Sequence, residues 1–240
     1  MKQFLEKLKF LAAVYAVMLI MGPPILWLRM RGKIRIHGLE KLWHHKQGML
    51  IISNHPSLFE TVLLPFLFFP RCILQPFKYI PWNTPDRENI MKYWYFKIFR
   101  HARMILIDRN AENASQNVLV LRKIIKIIQD EKGTVILFPE GGRTHKRKIK
   151  VFSPRGRGIG KFSESVKFIS KHVERPIIIP IWVEGAEFAL APGRFIPNFN
   201  CGPVDIYIGD SIHYVSSTEE LEQAVLRASE ELANILYNES

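Results

Sequence analysis

Residues 48–60 read GMLIISNHPSLFE, a short apolar run that ends at once in a polar turn. The run at 48–53 predicts a buried β-strand, because unbroken apolar stretches of this length are typical of strands covered on both faces. Similar runs recur at 134–138 (TVILF) and 176–183 (PIIIPIWV), and the apolar spacing of 113–130 predicts a helix. Strands that alternate with helices predict an α/β fold, in which helices flank a mixed, mostly parallel sheet.

Further elements are assigned by the same rules. They are strands at 33–38 and 104–108, a helix at 61–69, an irregular surface loop at 70–87, and a final helix that opens at the capping-box pattern of Ser217 and Glu220. The helix at 61–69 is expected to end before Pro70, because proline has no backbone N–H to donate to a continuing helix.

The composition is that of a globular protein with an excess of positive charge. The 240 residues suit a single domain at 33–240 preceded by a short appendage at 1–32. Lysine and arginine number 34 against 22 acidic residues, and the net charge of +12 favours an anionic partner such as a membrane surface, a phosphate-bearing substrate or nucleic acid. Residues 141–175 hold eleven lysines and arginines against Glu164 and Glu174, so the excess is concentrated in one segment.

The amino-terminal region contains an apolar segment. Residues 10–28 carry no charge over nineteen positions, about the length that a bilayer requires. The sequence Gly22-Pro23-Pro24 is expected to interrupt a helix there. Basic residues flank the segment on both sides, so it spans the membrane, lies in the interface, or bends within one leaflet; a buried core helix is the alternative. We expect a membrane-associating helical segment, with the rest of the chain on the cytoplasmic side.

The polar turn after residues 48–53 holds a histidine and a carboxylate, His55 and Glu60, with Asn54 before them. Histidine can act as a general base near neutral pH, and a carboxylate can orient its ring and stabilise the protonated form. On a regular helix, residues five apart point about 140° away from each other. The two side chains therefore meet only if His55 lies in the turn before a helix and Glu60 on its first turns. Taken alone, the pattern is more typical of a histidine satisfied within a loop.

A second polar turn follows residues 134–138 and reads Glu140-Gly141-Gly142-Arg143. Two glycines permit a sharp turn with exposed N–H groups, which suit an anion. Arg143 adds a forked, permanently charged donor for a phosphate group. Glu140 can orient that arginine or bind substrate hydroxyl groups. A structural turn held by an ion pair between Glu140 and Arg143 is the alternative.

Taken together, NHPSLFE at 54–60 and FPEGGR at 138–143 resemble the motifs of the lysophospholipid acyltransferase family, the group that includes the 1-acylglycerol-3-phosphate acyltransferases. Two smaller blocks, IDR at 107–109 and IPIWV at 179–183, are similar to family blocks in the expected order. The resemblance covers roughly residues 33–185, together with the hydrophobic amino-terminal segment.

The resemblance implies a membrane-bound enzyme that moves a fatty acyl group from a thioester to the free hydroxyl of a lysophospholipid, with an acceptor like lysophosphatidic acid favoured. The thioester is carried by coenzyme A or by acyl carrier protein. His55 is implied as the general base and Glu60 as the carboxylate that orients it. The implied substrate-binding residues are Asn54, Arg109, Glu140, Gly141, Gly142 and Arg143. No metal ion, resident cofactor or nucleic acid is implied.

Within the two longer motifs the chain departs from the family pattern at two positions, and the block at 107–109 lacks the glycine and phenylalanine that often precede it. Glu60 stands where aspartate is usual, which keeps the charge but changes its reach by one methylene group. Gly142 stands where threonine is common. The acyl chain length, the choice between the two donors, the acceptor headgroup and the oligomeric state are left open.

Three other functions are weighed against this one. A nucleic-acid-binding protein would account for the positive charge but not for the apolar segment, and no helix-turn-helix, RRM or zinc-finger pattern is present in the sequence. A serine hydrolase would use Ser53 or Ser57, but the sequence has no GxSxG elbow and Ser57 lies only two residues from His55. The third is an acyltransferase-like membrane protein that binds lipids and has lost its activity.

Overall fold

A computed structural model describes residues 2–45, 48–87, 103–108, 114–148, 150–190, 198, 200, 202–213, 215 and 217–238. Its strands are β1 (Ile34–His37), β2 (Met49–Ser53), β3 (Trp82–Asn83), β4 (Val135–Leu137), β5 (Lys150–Phe152), β6 (Gly158–Gly160), β7 (Ile177–Glu184) and β8 (Val204–Ile208). Six of them form one sheet in the order β1-β8-β7-β2-β4-β3, and β5 pairs with β6 as an antiparallel hairpin. β8 runs antiparallel to β7, whereas the other neighbours in the large sheet are parallel. The predicted mixed, mostly parallel sheet is confirmed.

The sheet is covered by helices on both faces. The helices are α1 (Lys2–Met30), α2 (Leu39–His44), α3 (Glu60–Phe66), α4 (Phe69–Leu74), α5 (Pro76–Tyr79), α6 (Ala114–Gln129), α7 (Glu164–His172), α8 (Ala186–Ala189) and α9 (Thr218–Asn238). Successive residues of a strand point to opposite faces, so Leu50 and Ile52 of β2 pack in a core with α6, α7 and α9. Met49 and Ile51 pack in a second core with α3, α4 and the end of α1. All five residues of β2 are buried, as the apolar run predicted.

The segment after β2 is more regular than expected. The helix predicted at 61–69 begins at Glu60 and ends at Phe66. Pro70 lies in the first turn of α4, where the N–H that proline lacks would have no partner within the helix. The irregular loop predicted at 70–87 is wrong, because this stretch contains most of α4 together with α5 and β3.

Some strand predictions also fail. The strand predicted at 104–108 is present as isolated bridges of Met104 and Ile107 to the segment around β3. β8, the β5–β6 hairpin, α2 and α7 have no counterpart among the predicted elements. β8 lacks an unbroken apolar run because it contains Asp205, which is buried and accepts two hydrogen bonds from Arg35, at 2.6 Å and 2.8 Å.

α1 is one helix from Lys2 to Met30, so the interruption expected at Pro23 and Pro24 is wrong. Tertiary packing stabilises this stretch: a Cβ atom added to Gly22 would lie 3.4 Å from the Phe69 ring, which places α1 directly against α4. The division of the chain at residue 32 stays a prediction.

Among the described residues, α1 packs against the rest of the protein mainly with one side. Its buried apolar residues are Phe10, Ala13, Val14, Ile25 and Leu28. Large apolar side chains also point to the outside, among them Phe4, Leu8, Leu19, Ile20, Trp27 and Met30. By length and composition the helix is sufficient to cross a membrane, and a window of it with mean hydropathy 2.0 is only 28% buried.

Candidate active site

Two polar turns meet at one edge of the large sheet. β2 ends at Ser53 and leads into Asn54 and His55, and β4 ends at Leu137 and leads into Glu140. Because β2 and β4 are parallel neighbours, the carboxyl ends of the two strands lie side by side. Open α/β sheets bind their ligands at this edge.

His55 and Glu60 are in direct contact. His55 lies in the turn after β2 and Glu60 is the first residue of α3, which is the arrangement that the spacing requires. His55 Nδ1 is hydrogen-bonded to Glu60 Oε1. The Glu60 side chain is fully buried and His55 is 8% exposed, so the pair is shielded from bulk water and its electrostatic interaction is strengthened.

Ser57 holds the Glu60 carboxylate in place. Its backbone N–H lies 3.1 Å from each carboxylate oxygen, and its hydroxyl donates to Glu60 Oε2 at 2.9 Å. The same hydroxyl oxygen accepts a hydrogen bond from the Phe59 backbone N–H at 2.9 Å. The hydroxyl that was weighed above as a hydrolase nucleophile is therefore committed to supporting Glu60.

Phe138 fixes the imidazole ring from the side of β4. The two rings are stacked, with centroids 4.6 Å apart and planes at 27°. Since Nδ1 is turned to Glu60, Nε2 is the ring nitrogen of His55 that can meet a substrate.

Glu140 joins the second turn to the first. Its Oε1 accepts hydrogen bonds from the His55 backbone N–H at 2.9 Å and from the Thr144 hydroxyl at 2.6 Å. Its Oε2 accepts from the Gly160 backbone N–H at 2.6 Å, and the Thr144 N–H donates to the His55 carbonyl at 2.8 Å. Burial raises the pKa of the Glu140 carboxyl above its ordinary value, although these hydrogen bonds oppose the rise. Glu140 is thus bound to β6 and to the His55 backbone, and the proposed ion pair with Arg143 is absent between these two described residues.

Asn54 ties β2 to β7. Its side-chain amide donates to the Val183 carbonyl at 2.8 Å, and its amide oxygen accepts from the Val183 N–H at 2.8 Å. These bonds fix the start of the His55 turn against the neighbouring strand.

The glycine turn follows Glu140 directly. Gly141 has a φ of +66°, which favours glycine because a side chain would be strained there. Gly142 and Arg143 are half-buried, and Arg143 immediately precedes a single 3-10 turn at Thr144–Lys146. The backbone therefore turns sharply beside the histidine, as the two glycines predicted.

The amino-acid sequence of residues 33–184 matches the family model described as Acyltransferase, and the match spans more than half of the chain. The chain belongs to the acyltransferase family. Six solved chains are similar to it in structure, among them the crystal structure of the 1-acyl-sn-glycerophosphate (LPA) acyltransferase, PlsC, from Thermotoga maritima. That likeness has a TM-score of 0.57 at 20% sequence identity and covers 96% of this chain and 80% of that one, which shows a shared fold. No curated protein sequence matches the chain.

Most of the predicted site residues of this acyltransferase lie together. His55, Glu60 and Glu140 form one connected hydrogen-bond network. Asn54 precedes His55 in the chain and is bonded to β7, and the glycine turn with Arg143 directly follows Glu140. Arg109 lies outside the described residues. The roles in catalysis and substrate binding that were assigned to these side chains stay predictions.

Sequence reasoning missed several residues that build the site. They are Ser57 as the support of Glu60, Thr144 and Gly160 as donors to Glu140, and Arg147, which lies against the glycine turn. The sequence carried a signal for two of them, because Ser57 lies inside the first quoted motif and Thr144 directly follows the second. Gly160 reaches Glu140 only because the β5–β6 hairpin folds back, and Arg147 is brought to the glycine turn by the 3-10 turn at Thr144–Lys146.

The described part of the site contains no cluster of metal-ligating side chains. Among the described residues, no three side chains of the types His, Cys, Asp and Glu cluster as a metal ion would require. The expectation that the acyltransferase needs no metal stays a prediction.

We expect Asn54→Ala to destabilise the protein by about 2–4 kcal/mol, because it leaves the buried N–H and C=O of Val183 without their side-chain partners. Urea unfolding of wild type and variant measures the change. Asn54→Asp is the comparison variant: it still accepts from the Val183 N–H, but it turns a buried, unpaired carboxylate towards the Val183 carbonyl, so a loss at least as large as that of alanine is expected. An unfolding free energy equal to that of wild type would contradict the structural role.

Proposed function

We propose that this acyltransferase moves a fatty acyl group from a thioester of coenzyme A or acyl carrier protein to the free hydroxyl of a lysophospholipid, with lysophosphatidic acid as the favoured acceptor. Phospholipid biosynthesis is the process that such a reaction serves. The observation that supports the proposal is the buried hydrogen bond between His55 Nδ1 and Glu60. The backbone of His55 is also hydrogen-bonded to Glu140, which directly precedes the glycine turn. That arrangement supplies a base beside a turn that suits an anionic headgroup.

In the proposed reaction His55 acts as a general base. Its Nε2 takes the proton from the acceptor hydroxyl while the hydroxyl oxygen attacks the thioester carbonyl carbon. An ester C–O bond forms, the C–S bond breaks, and the proton passes from His55 to the leaving sulfur, which departs as a thiol. Glu60 orients the imidazole and balances its transient positive charge.

The glycine turn is proposed to hold the acceptor. Arg143 is half-buried beside it and carries a forked donor for the phosphate group. Arg109, Glu140, Gly141 and Gly142 complete the proposed binding set. Asn54 contributes through its hold on β7, which keeps the His55 turn in position.

The enzyme is proposed to be attached to a membrane through α1, with the active site on the cytoplasmic side. The exposed apolar side chains of α1, such as Leu19 and Trp27, favour contact with lipid. Arg29 and Arg31 follow at the end of the helix, and basic residues near an anionic membrane contribute about 1 kcal/mol each. The proposed division into 1–32 as the attaching segment and 33–240 as the acyltransferase domain follows from the same features.

The test is acyl transfer by the detergent-purified full chain, measured as new ester by mass spectrometry. The panel crosses acyl-coenzyme A and acyl carrier protein donors with lysophosphatidic acid, lysophosphatidylcholine and lysophosphatidylethanolamine. Phosphatidic acid, which has no free glycerol hydroxyl, is the matched acceptor control. We expect diacyl product with lysophosphatidic acid and none with the control. Folded enzyme that makes no ester with any pair would contradict the proposal.

A further inference from the structure

Arg147 lies across the glycine turn of the site. A Cβ atom added to Gly141 would lie 2.9 Å from Arg147 Nη2, and one added to Gly142 would lie 2.8 Å from it. A Cβ atom added to Gly160 would lie 2.6 Å from Arg147 Cγ. Real Cβ atoms essentially never approach so closely. The three glycines thus leave space for one arginine side chain, whose guanidinium ends against the turn.

The guanidinium has a donor that the described residues do not use. Arg147 Nε is buried and has no hydrogen-bond partner in the part of the chain that the structure describes. Two other half-buried arginines are paired, since Arg35 and Arg157 each make two hydrogen bonds to one carboxylate. A buried donor without a partner destabilises the free protein, so an anionic ligand that accepts from it is favoured at this place.

The turn that Arg147 covers is attached to the proposed base. Thr144 and Glu140, on either side of the turn, are both hydrogen-bonded to the His55 backbone. In lysophosphatidic acid only the glycerol carbons separate the reacting hydroxyl from the phosphate, so the phosphate lies near the base when the hydroxyl is bound. In the thioester donors the whole pantetheine arm separates the sulfur from the phosphates. A phosphate site beside His55 therefore fits the acceptor and not the donor.

We propose that Arg147 is a further acceptor-binding residue, whose guanidinium binds the phosphate of the lysophospholipid together with Arg143. This inference rests on the proposed function. A phosphate monoester carries close to two negative charges at neutral pH, whereas the phosphodiester of lysophosphatidylcholine carries one. A second forked cation at the turn thus sets a preference for a monoester acceptor over a diester.

Steady-state kinetics of wild type, Arg147→Ala and Lys148→Ala test the assignment. Lys148→Ala is the matched control, because it removes one exposed positive charge from the same loop. We expect Arg147→Ala to raise the KM for lysophosphatidic acid about 10- to 100-fold, the loss of a charge-assisted hydrogen-bonded pair. The KM for the acyl donor and kcat at saturating acceptor should stay close to wild type, and the preference for monoester over diester should fall. Lys148→Ala should match wild type throughout.

An unchanged acceptor KM in Arg147→Ala, or a rise confined to the donor KM, would overturn the assignment. Arg147→Lys covers the case in which the alanine variant does not fold: it keeps the charge and loses the fork, so a smaller rise in acceptor KM is expected and an unchanged KM counts against the proposal. The two proposals fail in different ways. If the wild type makes no product, both proposals are refuted. If the wild type is active and the Arg147 variants have its acceptor KM, only the role of Arg147 is refuted.

Discussion

His55→Ala is expected to abolish measurable acyl transfer. A positioned general base contributes about 10²- to 10⁴-fold to a rate. Among the described residues, no other histidine is hydrogen-bonded to Glu60, so none can take over the role of His55. The turn itself should persist, because Glu140 and Thr144 are bonded to the backbone of His55 and not to its ring. Transfer of a radiolabelled acyl group, with unfolding followed in parallel, measures both effects.

His55→Asn is the matched control for the loss of the base. The alanine variant leaves the fully buried Glu60 without the histidine, which is destabilising in itself. Asparagine can place an amide donor near the position of Nδ1, so it should restore part of the stability and none of the activity. Full activity in either variant would refute the assignment of His55 as the base.

The contact of His55 with Glu60 can be predicted from sequence because it is local. It requires only that the 48–53 run ends at Ser53 and that a helix opens a few residues later, and both features follow from short-range pattern. That both motifs lie at the same edge of the sheet also follows, since the carboxyl ends of parallel strands share one edge.

The partners of Glu140 cannot be predicted in this way. Its neighbour in sequence, Arg143, is the obvious candidate for an ion pair, yet the carboxylate accepts from Gly160 and from the His55 backbone. Gly160 reaches it only because the β5–β6 hairpin folds back over the turn, which is a long-range event with no signature in either motif. Arg147 lies against Gly141 in a different way, because the 3-10 turn at Thr144–Lys146 brings it back towards the glycines.

Local rules also failed where packing opposed them. The prolines of α1 predict a break, but the helix continues while Gly22 packs against Phe69. β8 was not predicted as a strand because the charged Asp205 interrupts its apolar run. In the structure, two hydrogen bonds from Arg35 satisfy the Asp205 carboxylate inside the sheet. In both cases contacts distant in sequence decide the local structure.

Glu60→Gln is expected to lower kcat about 10²- to 10⁴-fold with little change in acceptor KM, by analogy with the loss of the carboxylate in triads. The structure gives the reason. Glu60 Oε1 faces His55 Nδ1, and the Ser57 N–H lies 3.1 Å from both oxygens. An amide placed at Oε1 turns a donor towards Nδ1, so the ring must carry its proton on Nε2 and cannot act as a base. The opposite orientation keeps the hydrogen bond to Nδ1 but removes the negative charge that stabilises the imidazolium.

The variant Glu60→Asp distinguishes the effect of the negative charge from the effect of the side-chain length. It keeps the carboxylate that Ser57 supports and shortens the side chain by one methylene, so we expect it to retain much more activity than Glu60→Gln. Both variants lose the glutamate packing, and a purely structural role for Glu60 would therefore lower their activities alike. Measured kcat values for the two variants, each checked for folding by thermal denaturation, decide between these accounts. If Gln equals or exceeds Asp, the negative charge beside His55 does not assist the reaction, and the proton-transfer mechanism loses its main electrostatic support.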